Sequence, residues 1–244
     1  MKTIVFYLKI AAVIFWVLLT SVLYLFVSLF TFKRRTVFAE TVNFLARGVF
    51  PILGIKIEVQ GREYLTQCQP CVFIGNHQSA LDVAIYGEIC PLNTVAIGKK
   101  EIAWIPLFGW LFKMAGGILI DRKNKRKAIS QIDEAVQAIR ETKVSVGILP
   151  EGTRNRSGKG LLPFKKGAFH LAVESQVPLV PIIIAEFGEL VNFENKRINP
   201  GTIQLRVLPP IPTDGLTIKD IPQLVLKIHS MMLKVLSEVK ALPI

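Results

Sequence analysis

The sequence predicts an α/β fold, with a mostly parallel or mixed central sheet flanked by helices and preceded by N-terminal membrane-associating helices. Two observations carry this prediction. From Ile55 onward, strand-like stretches alternate with segments of helical period, as in layered α/β proteins. Before that point the chain holds a long apolar run and then an amphipathic stretch. We therefore expect membrane-associating helices over residues 1–54 and an α/β domain over residues 55–244.

The apolar run from Ile4 to Phe32 carries Lys9 as its only charge and ends against Lys33, Arg34 and Arg35. It exceeds the roughly 20 residues that cross a bilayer, and it is too long for the apolar region of a signal peptide. It therefore predicts a retained membrane element, which either spans the bilayer or inserts into one leaflet. The denser basic cluster follows the run, and by the positive-inside rule this places the remaining chain on the cytoplasmic face of the inner (cell) membrane.

From Thr36 to Leu53 apolar residues recur at helical spacing, and the pattern ends near Pro51 and Gly54. This predicts a second, amphipathic helix. The helix could lie in the membrane interface, or it could pack on the globular domain, and the pattern does not choose between the two.

The rest of the chain supplies the elements of the α/β domain. The predicted strands are 55–59, 71–74, 94–97, 145–149, 179–185 and 202–207, and the predicted helices are 127–141, 167–176 and 221–239. In such a fold the functional loops lie at the strand ends.

Composition limits the partners. The chain has 244 residues, with 30 Lys and Arg against 18 Asp and Glu and a formal charge of +12, while the mean hydropathy is +0.44. Anionic lipid and phosphorylated small molecules as partners together explain the charge and the hydropathy. A nucleic-acid partner is not expected, because the sequence holds no recognition helix, zinc finger or RNP-like strand.

Cysteines and histidines do not suggest a metal site. Cys68, Cys71 and Cys90 include one C-x-x-C pair without a second pair, and the three histidines lack metal-ligand spacing. We interpret the cysteines as free thiols, which suits a reducing compartment.

The stretch from Gly75 to Asp82, GNHQSALD, follows an apolar run and predicts a strand end, a short loop and a helix start. A carboxylate of Asp82 on Nδ1 of His77 would fix the imidazole tautomer and leave Nε2 free to take a proton. No G-x-S-x-G nucleophile accompanies the pair. The attacking hydroxyl could therefore belong to a substrate; alternatively, the pair is a structural contact.

The stretch from Leu149 to Arg154, LPEGTR, also follows a predicted strand. Gly152 permits close approach to a ligand, Thr153 offers a hydroxyl, and Arg154 offers a guanidinium suited to phosphate. Glu151 could hold that arginine or orient a substrate hydroxyl. An ordinary turn with a surface ion pair is the alternative. The following RNRSGKG and PFKKGA add further cations, which favours an anionic ligand.

Between these motifs lies an apolar segment from Gly98 to Arg122, interrupted by a proline and several glycines. Because these residues oppose a continuous helix, we expect broken apolar helices at the bilayer surface or the lining of an apolar groove, with a plain core segment as the alternative. The run RKNKRK from Arg122 to Lys127 is either a solvated helix start or a surface for headgroups or an acidic carrier.

As a set, these residues resemble the PlsC-type glycerolipid acyltransferases, specifically the 1-acylglycerol-3-phosphate acyltransferases. NHQSALD resembles the N-H-x4-D motif of that family and LPEGTR its (F/L)PEGTR motif. The stretch from GKKEIAWIPLFG through GGILIDR resembles the intervening block, and VPLVPIII the last one. The resemblance runs from about Val72 to Ile184, nearly half of the chain, and implies the glycerolipid acyltransferase fold.

The resemblance implies transfer of a fatty acyl group from acyl-CoA or acyl carrier protein to the sn-2 hydroxyl of lysophosphatidic acid at a lipid bilayer, which gives phosphatidic acid. His77 would be the general base and Asp82 would orient it. The implied substrate-binding residues are Lys99, Lys100, Glu151, Gly152, Thr153 and Arg154. No metal and no cofactor beyond the thioester donor is expected.

Two alternatives remain at this point. The same machinery could acylate another acceptor, such as glycerol 3-phosphate or another lysophospholipid. In a different class, the protein could be a non-catalytic basic membrane protein that binds anionic lipid, with His77 and Asp82 in structural roles.

Overall fold

The computed structural model of the chain describes residues 2–30, 34–105, 108–114, 116–157 and 159–243. Phe32, Lys33 and Pro106, which the sequence interpretation used, lie outside these ranges. The described helices are α1 (Lys2–Leu29), α2 (Arg34–Leu53), α3 (Tyr64–Gln67), α4 (Asp82–Ile89), α5 (Phe108–Met114), α6 (Lys125–Thr142), α7 (Gly167–Ser175) and α8 (Ile221–Leu236), with short 3-10 helices at Lys100–Trp104 and Ile218–Asp220.

The described strands are β1 (Ile55–Gln60), β2 (Val72–Gly75), β3 (Thr94–Lys99), β4 (Ile118–Ile120), β5 (Ser145–Ile148), β6 (Leu179–Ile184), β7 (Val191–Asn192), β8 (Arg197–Ile198), β9 (Gly201–Val207) and β10 (Ala241–Pro243). The main sheet has the order β1-β9-β6-β2-β5-β3-β4, with β10 paired to β9, and β7 pairs separately with β8. Helices flank this mixed sheet, so the predicted α/β class is confirmed.

Five neighbouring strands, β6, β2, β5, β3 and β4, run parallel to one another. β2 and β6 are buried at every position, which explains their continuous apolar sequences, since a central parallel strand is covered on both faces. Their carboxyl ends lie at one edge of the sheet. The loops that follow β2, β5 and β3 carry the predicted site residues, so the sheet brings distant parts of the chain together there.

The two N-terminal helices form an antiparallel hairpin. The indole of Trp16 in α1 donates to the Leu45 carbonyl of α2 at 3.0 Å. The Lys9 ammonium donates at 2.7 Å to the carbonyl of Leu53, the last residue of α2. Lys9, the one charge in the apolar run, therefore caps the end of α2 where backbone carbonyls lack helical partners.

Much of α1 exposes apolar side chains. Within the described residues, the stretch Thr3–Val27 is long and apolar enough to cross a membrane. Large exposed side chains include Ile4, Leu8, Phe15, Leu18, Val22 and Phe26. In contrast, α2 buries Val49, Phe50 and Leu53 in the core of the domain. Of the two placements left open for α2, the structure has it packed on the domain.

Helix α2 also packs closely on α4. Asn43 of α2 donates to the carbonyls of Gly87 at 2.7 Å and Cys90 at 3.3 Å, so it caps the carboxyl end of α4. A Cβ at Gly87 would lie 2.5 Å from Cγ1 of Val42. The helix that begins with Asp82 is thereby held against the hairpin.

The interrupted apolar segment after Gly98 folds as a 3-10 helix, α5 and the short strand β4. β4 was not among the predicted strands, because its three residues are too few to show a period. Its register places Ile120 opposite Lys99 in β3. Asp121 and Arg122 therefore follow at the same edge of the sheet as the predicted site residues.

Candidate active site

The dyad lies at the carboxyl end of the central strand β2. Nδ1 of His77 lies 2.7 Å from Oδ2 of Asp82. The Asp82 side chain is fully buried, whereas 20% of the His77 side chain is exposed. Since Nδ1 faces the carboxylate, Nε2 is the ring nitrogen left for a substrate. The buried carboxylate fixes the tautomer and stabilises the ring when it takes a proton.

Asp82 also fixes the loop that carries its partner. The backbone amides of Gln78 and Ser79 donate to the same Oδ2 at 2.7 and 2.9 Å. Oδ1 of Asp82 is buried without a hydrogen-bond partner among the described residues. The three hydrogen bonds that the described residues make to this carboxylate therefore converge on Oδ2, the oxygen that contacts His77.

Two side-chain amides extend the pairing of the central strands into the loop. The Asn76 side chain donates to the Ile184 carbonyl at 2.9 Å and accepts from the Ile184 amide at 2.8 Å. The Gln78 side chain donates to the Ala185 carbonyl at 3.0 Å and accepts from the Phe187 amide at 3.3 Å. His77 is therefore anchored on both sides to the segment that continues β6.

Glu151 joins the two sequence motifs. Its Oε1 accepts from the His77 amide at 2.7 Å and its Oε2 from the Leu162 amide at 2.9 Å. Burial raises the pKa of the Glu151 carboxyl above its ordinary value, opposed by these hydrogen bonds. Only 2% of the residue is exposed. The sequence predicts that Glu151 binds substrate. In the structure both carboxylate oxygens instead accept hydrogen bonds from backbone amides.

Tyr86 supports the loop from the next turn of α4. Its hydroxyl donates to the Asn76 carbonyl at 2.7 Å, and burial raises the pKa of this hydroxyl well above its usual value. A Cβ at Gly75 would lie 2.0 Å from the same hydroxyl oxygen. The sequence reasoning did not single out Tyr86.

Two cations approach the loop that contains Gly152. This residue adopts φ of 69°, a conformation that favours glycine. The Arg122 guanidinium donates to its carbonyl, and a Cβ placed on it would lie 2.9 Å from Nζ of Lys165. Burial lowers the pKa of Arg122. The sequence interpretation left the basic run from Arg122 to Lys127 as either a solvated helix start or a surface for headgroups or an acidic carrier. The signal that could have found Arg122 is its position two residues after the apolar, strand-like triplet Ile118–Ile120.

The other predicted cations differ in their surroundings. Lys99 contacts Glu101 at 3.3 Å and Lys100 contacts Asp121 at 2.8 Å. The hydrogen bond with Lys100 lowers the pKa of Asp121, and it raises that of Lys100. Both lysines therefore already face carboxylates.

Thr153 and Arg154 are exposed beside Gly152. Within the described part of the chain, no carboxylate pairs with Arg154. Its guanidinium is therefore available to an anionic ligand. No group of three or more His, Cys, Asp or Glu side chains in the described ranges is arranged to hold a metal ion.

The part of the chain that forms this edge of the sheet matches the model of a known protein family. The Acyltransferase family model covers residues 56–185, from β1 to the end of β6. The chain belongs to the acyltransferase family. Human 1-acyl-sn-glycerol-3-phosphate acyltransferase alpha is 43% identical over 188 residues, which are 77% of this chain and 66% of the relative. The Haemophilus influenzae 1-acyl-sn-glycerol-3-phosphate acyltransferase is 33% identical over 231 residues, 95% of each chain.

A solved structure has the same fold as this acyltransferase. The 1-acyl-sn-glycerophosphate (LPA) acyltransferase PlsC from Thermotoga maritima superposes with a TM-score of 0.75 at 23% identity, covering 97% of this chain and 95% of the other. The similarity therefore includes the N-terminal hairpin region and the sheet. The match to the human relative spans 66% of that protein's length, whereas the bacterial proteins match over nearly their whole chains.

Proposed function

We propose that this acyltransferase transfers a fatty acyl group from acyl-CoA or acyl carrier protein to the sn-2 hydroxyl of 1-acylglycerol 3-phosphate, giving phosphatidic acid for phospholipid biosynthesis. The observation that carries the proposal is the 2.7 Å contact between His77 and buried Asp82 at a sheet edge that also presents Arg122 and Arg154. The names of the bacterial and human relatives support the same reaction.

In the proposed reaction Nε2 of His77 takes the proton of the acceptor hydroxyl as its oxygen attacks the thioester carbonyl. The tetrahedral intermediate then expels the donor thiolate, which takes the proton back from the imidazolium. Asp82 stabilises the imidazolium in between. No enzyme nucleophile is needed, and general base catalysis of this kind contributes roughly 10² to 10⁴ in rate.

The acceptor phosphate would bind near Gly152. Arg154 offers a guanidinium there that no described carboxylate contacts, and Arg122 and Lys165 approach the same loop. Gly152 and Thr153 would shape the loop, and Glu151 would position His77. Lys99 or Lys100 would supply a second cation next to the phosphate or the developing oxyanion. The carboxylate that each contacts, Glu101 or Asp121, partly offsets that charge.

The membrane would hold the enzyme next to its lipid substrates. The exposed apolar surface of α1 suits a bilayer. The basic cluster that follows the apolar run supports a position of the α/β domain on the cytoplasmic face of the inner membrane. The donor thioester supplies the acyl group, so the proposed reaction calls for no metal or other cofactor.

The acceptor and the donor are tested together. Purified protein is incubated with lysophosphatidic acid, other lysophospholipids or glycerol 3-phosphate, each with acyl-CoA and with acyl carrier protein thioesters, and products are identified by mass spectrometry. We expect phosphatidic acid from lysophosphatidic acid. A preference for another acceptor would replace the substrate in this proposal, and no turnover in any mixture would favour the non-catalytic lipid-binding alternative.

His77→Ala tests the chemistry. We expect acyl transfer to fall by roughly 10² to 10⁴ or to undetectable levels, in a protein that still folds and associates with membranes. His170 is a matched control, since it lies on α7 and contacts Glu174 at 3.3 Å; His170→Ala should keep its activity. An active His77→Ala enzyme would rule out the proposed base.

Arg154→Ala tests the phosphate contact. We expect the KM for the phosphorylated acceptor to rise by about 10-fold or more, since a charge-assisted hydrogen bond contributes about 1.5–3 kcal/mol, while kcat changes little. Arg62→Ala, at an exposed arginine in the loop after β1, serves as the control. An unchanged KM for Arg154→Ala would exclude this role.

A further inference from the structure

Two of the three tryptophans of the chain lie on the surface next to the hairpin. Trp104 is 84% exposed and Trp110 is 62% exposed, with Ile105 between them at 49%. Trp104 ends the 3-10 helix Lys100–Trp104, and Trp110 lies on α5. Side chains of this size are seldom left in water, because each has a large apolar area.

Tight packing beneath the two tryptophans holds them outward. A Cβ at Gly109 would lie 2.3 Å from the Ile102 carbonyl oxygen, so α5 rests directly on the backbone of the 3-10 helix. Leu111 and Phe112 point into the protein, at 4% and 6% exposure. The outward face of α5 therefore consists of Trp110 and, one turn later, Lys113, which is also exposed.

This surface is continuous with the hairpin. Helix α5 contacts both α1 and α2, and α2 also contacts α4. On α4, Val83 is 53% exposed directly after Asp82. Exposed apolar side chains of α4 and α5 thus lie on helices that contact the hairpin.

We propose that the 3-10 helix and α5 form a second membrane-contacting element, in which Trp104, Ile105 and Trp110 insert into the headgroup region of the bilayer beside α1. Tryptophan suits that region, because the ring is apolar and its N–H can bond to headgroups or water. Lys113 supplies a cation that reaches anionic headgroups while its stem stays on the apolar side.

A lipid bilayer fits this surface better than a second copy of the chain. The surface adjoins α1, whose length and exposed apolar side chains suit a bilayer. It also mixes tryptophan with exposed lysine, which is typical of the membrane interface.

Fluorescence of single tryptophans tests the proposal without using activity. Trp16→Phe combined with Trp110→Phe leaves Trp104 as the reporter, and Trp16→Phe combined with Trp104→Phe leaves Trp110. Each purified full-length variant is reconstituted into phosphatidylcholine and phosphatidylglycerol vesicles, with or without bromine on the acyl chains. We expect bromolipid to reduce the emission of either tryptophan by about twofold or more.

Leu226→Trp, placed in the chain with all three tryptophans replaced by Phe, is the matched control. Leu226 is 69% exposed on α8, which packs on α7 and β6. Bromolipid should not quench the emission of the tryptophan introduced at this position. If Trp16→Phe impairs folding, Trp16 is kept, and Trp104→Phe and Trp110→Phe should each remove a quenched component from the wild-type emission.

Quenching of Trp104 and Trp110 no greater than that of the control would overturn the proposal. A second result would also overturn it. If the emission is shifted to shorter wavelength but is not quenched by bromolipid, and the protein cross-links to its own copies, then a second chain covers the surface.

A kinetic comparison extends the test and rests on the proposed function. Trp104→Ser with Trp110→Ser should lower the rate on long-chain lysophosphatidic acid in vesicles by about tenfold, and leave the rate on a short-chain, monomeric lysophosphatidic acid unchanged. An equal loss on both acceptors would contradict a membrane role. Wild-type enzyme inactive on both would refute the proposed function but leave the quenching result intact.

Discussion

At the scale of single residues, one carboxylate oxygen positions His77, the proposed base. Oδ2 of Asp82 receives the His77 ring and two loop amides within 2.9 Å. Because Asp82 is fully buried, these contacts lie in a medium of low polarity, where electrostatic interactions are strong. The loop conformation and the imidazole orientation therefore depend on the same group.

Glu151→Gln should lower kcat with little change in KM. A glutamine would place its NH₂ group against the amide of either His77 or Leu162, which both point at the native carboxylate. Losing one buried hydrogen bond costs about 1–3 kcal/mol, so the unfolding temperature should drop by several degrees. Glu186→Gln is the control, since exposed Glu186 also accepts a backbone amide, that of Gly160. A higher KM without loss of stability would indicate that Glu151 contacts substrate instead.

The same carboxyl predicts a pH effect. Burial raises the pKa of Glu151 in the folded protein, so the folded state binds more protons than the unfolded state just above the ordinary pKa of a glutamate. The contribution of Glu151 to stability should therefore be largest below that ordinary pKa and decline as pH rises through the raised one. Unfolding free energies in detergent micelles, measured across this window, should show a decline in the wild type that Glu151→Gln lacks.

Arg122→Ala should weaken acceptor binding. The guanidinium donates to the Gly152 carbonyl, so its loss removes both a support of the loop and a cation next to it. We expect the KM for lysophosphatidic acid to rise by about 10- to 100-fold, from about 1.5–3 kcal/mol for a charged hydrogen bond. Lys123→Ala, at the adjacent exposed position, should behave like wild type. If both variants bind equally well, Arg122 has no role at the acceptor.

At the scale of elements, the site depends on how α4 is held. Its first residue is Asp82, and its carboxyl end is capped by Asn43 from α2. A shift of α4 would carry the Asp82 carboxylate away from the loop. The packing of α2 on α4 at Gly87 therefore helps to hold Asp82, at the other end of α4, in contact with His77.

Gly87→Ala should reduce both stability and activity. The added methyl group would lie 2.5 Å from Val42, and overpacking typically costs about 1–3 kcal/mol. Thermal unfolding and kcat provide the two measurements, and Gly188→Ala, where a Cβ meets nothing within 4 Å, is the control. Adding Val42→Ala should restore much of the loss. A Gly87→Ala protein as stable and active as wild type would show that this packing is not needed.

At the scale of the whole molecule, the hairpin places the start of α1 beside the end of α2. Lys9 near the start of α1 contacts the end of α2, and Nζ of Lys196 lies 5.4 Å from the centre of the Tyr7 ring. The start of α1 therefore lies against the α/β domain. A single span with the domain on the opposite side from the N-terminus does not fit this arrangement.

Both termini should accordingly lie on one side of the membrane. In sealed proteoliposomes with a tag at each end, protease added outside should remove both tags or neither from any one molecule, because the hairpin returns the chain to the side where it began. Vesicles opened with detergent give the control for complete cleavage. Tags that are cut independently, one from each side, would contradict the hairpin topology.

The dyad was predictable because its parts are close in sequence. His77 and Asp82 are five positions apart, and the loop-to-helix pattern between them sets their approach. The partners of Glu151 were not predictable in the same way. Its bond to the His77 amide joins residues 74 positions apart, and the contact from Arg122 to Gly152 joins residues 30 apart. Such contacts depend on which strands are neighbours in the sheet.

The sequence by itself determined the alternation of strands and helices, the apolar N-terminal helix and the two motifs, because each is written in local periodicity or spacing. The tertiary structure decided that β2 lies between β5 and β6, that β4 brings Arg122 to Gly152, and that α1 folds back on α2 through Lys9. The physical reason is that strand order and helix packing are set by burial and hydrogen bonding across the whole chain, which local patterns do not specify.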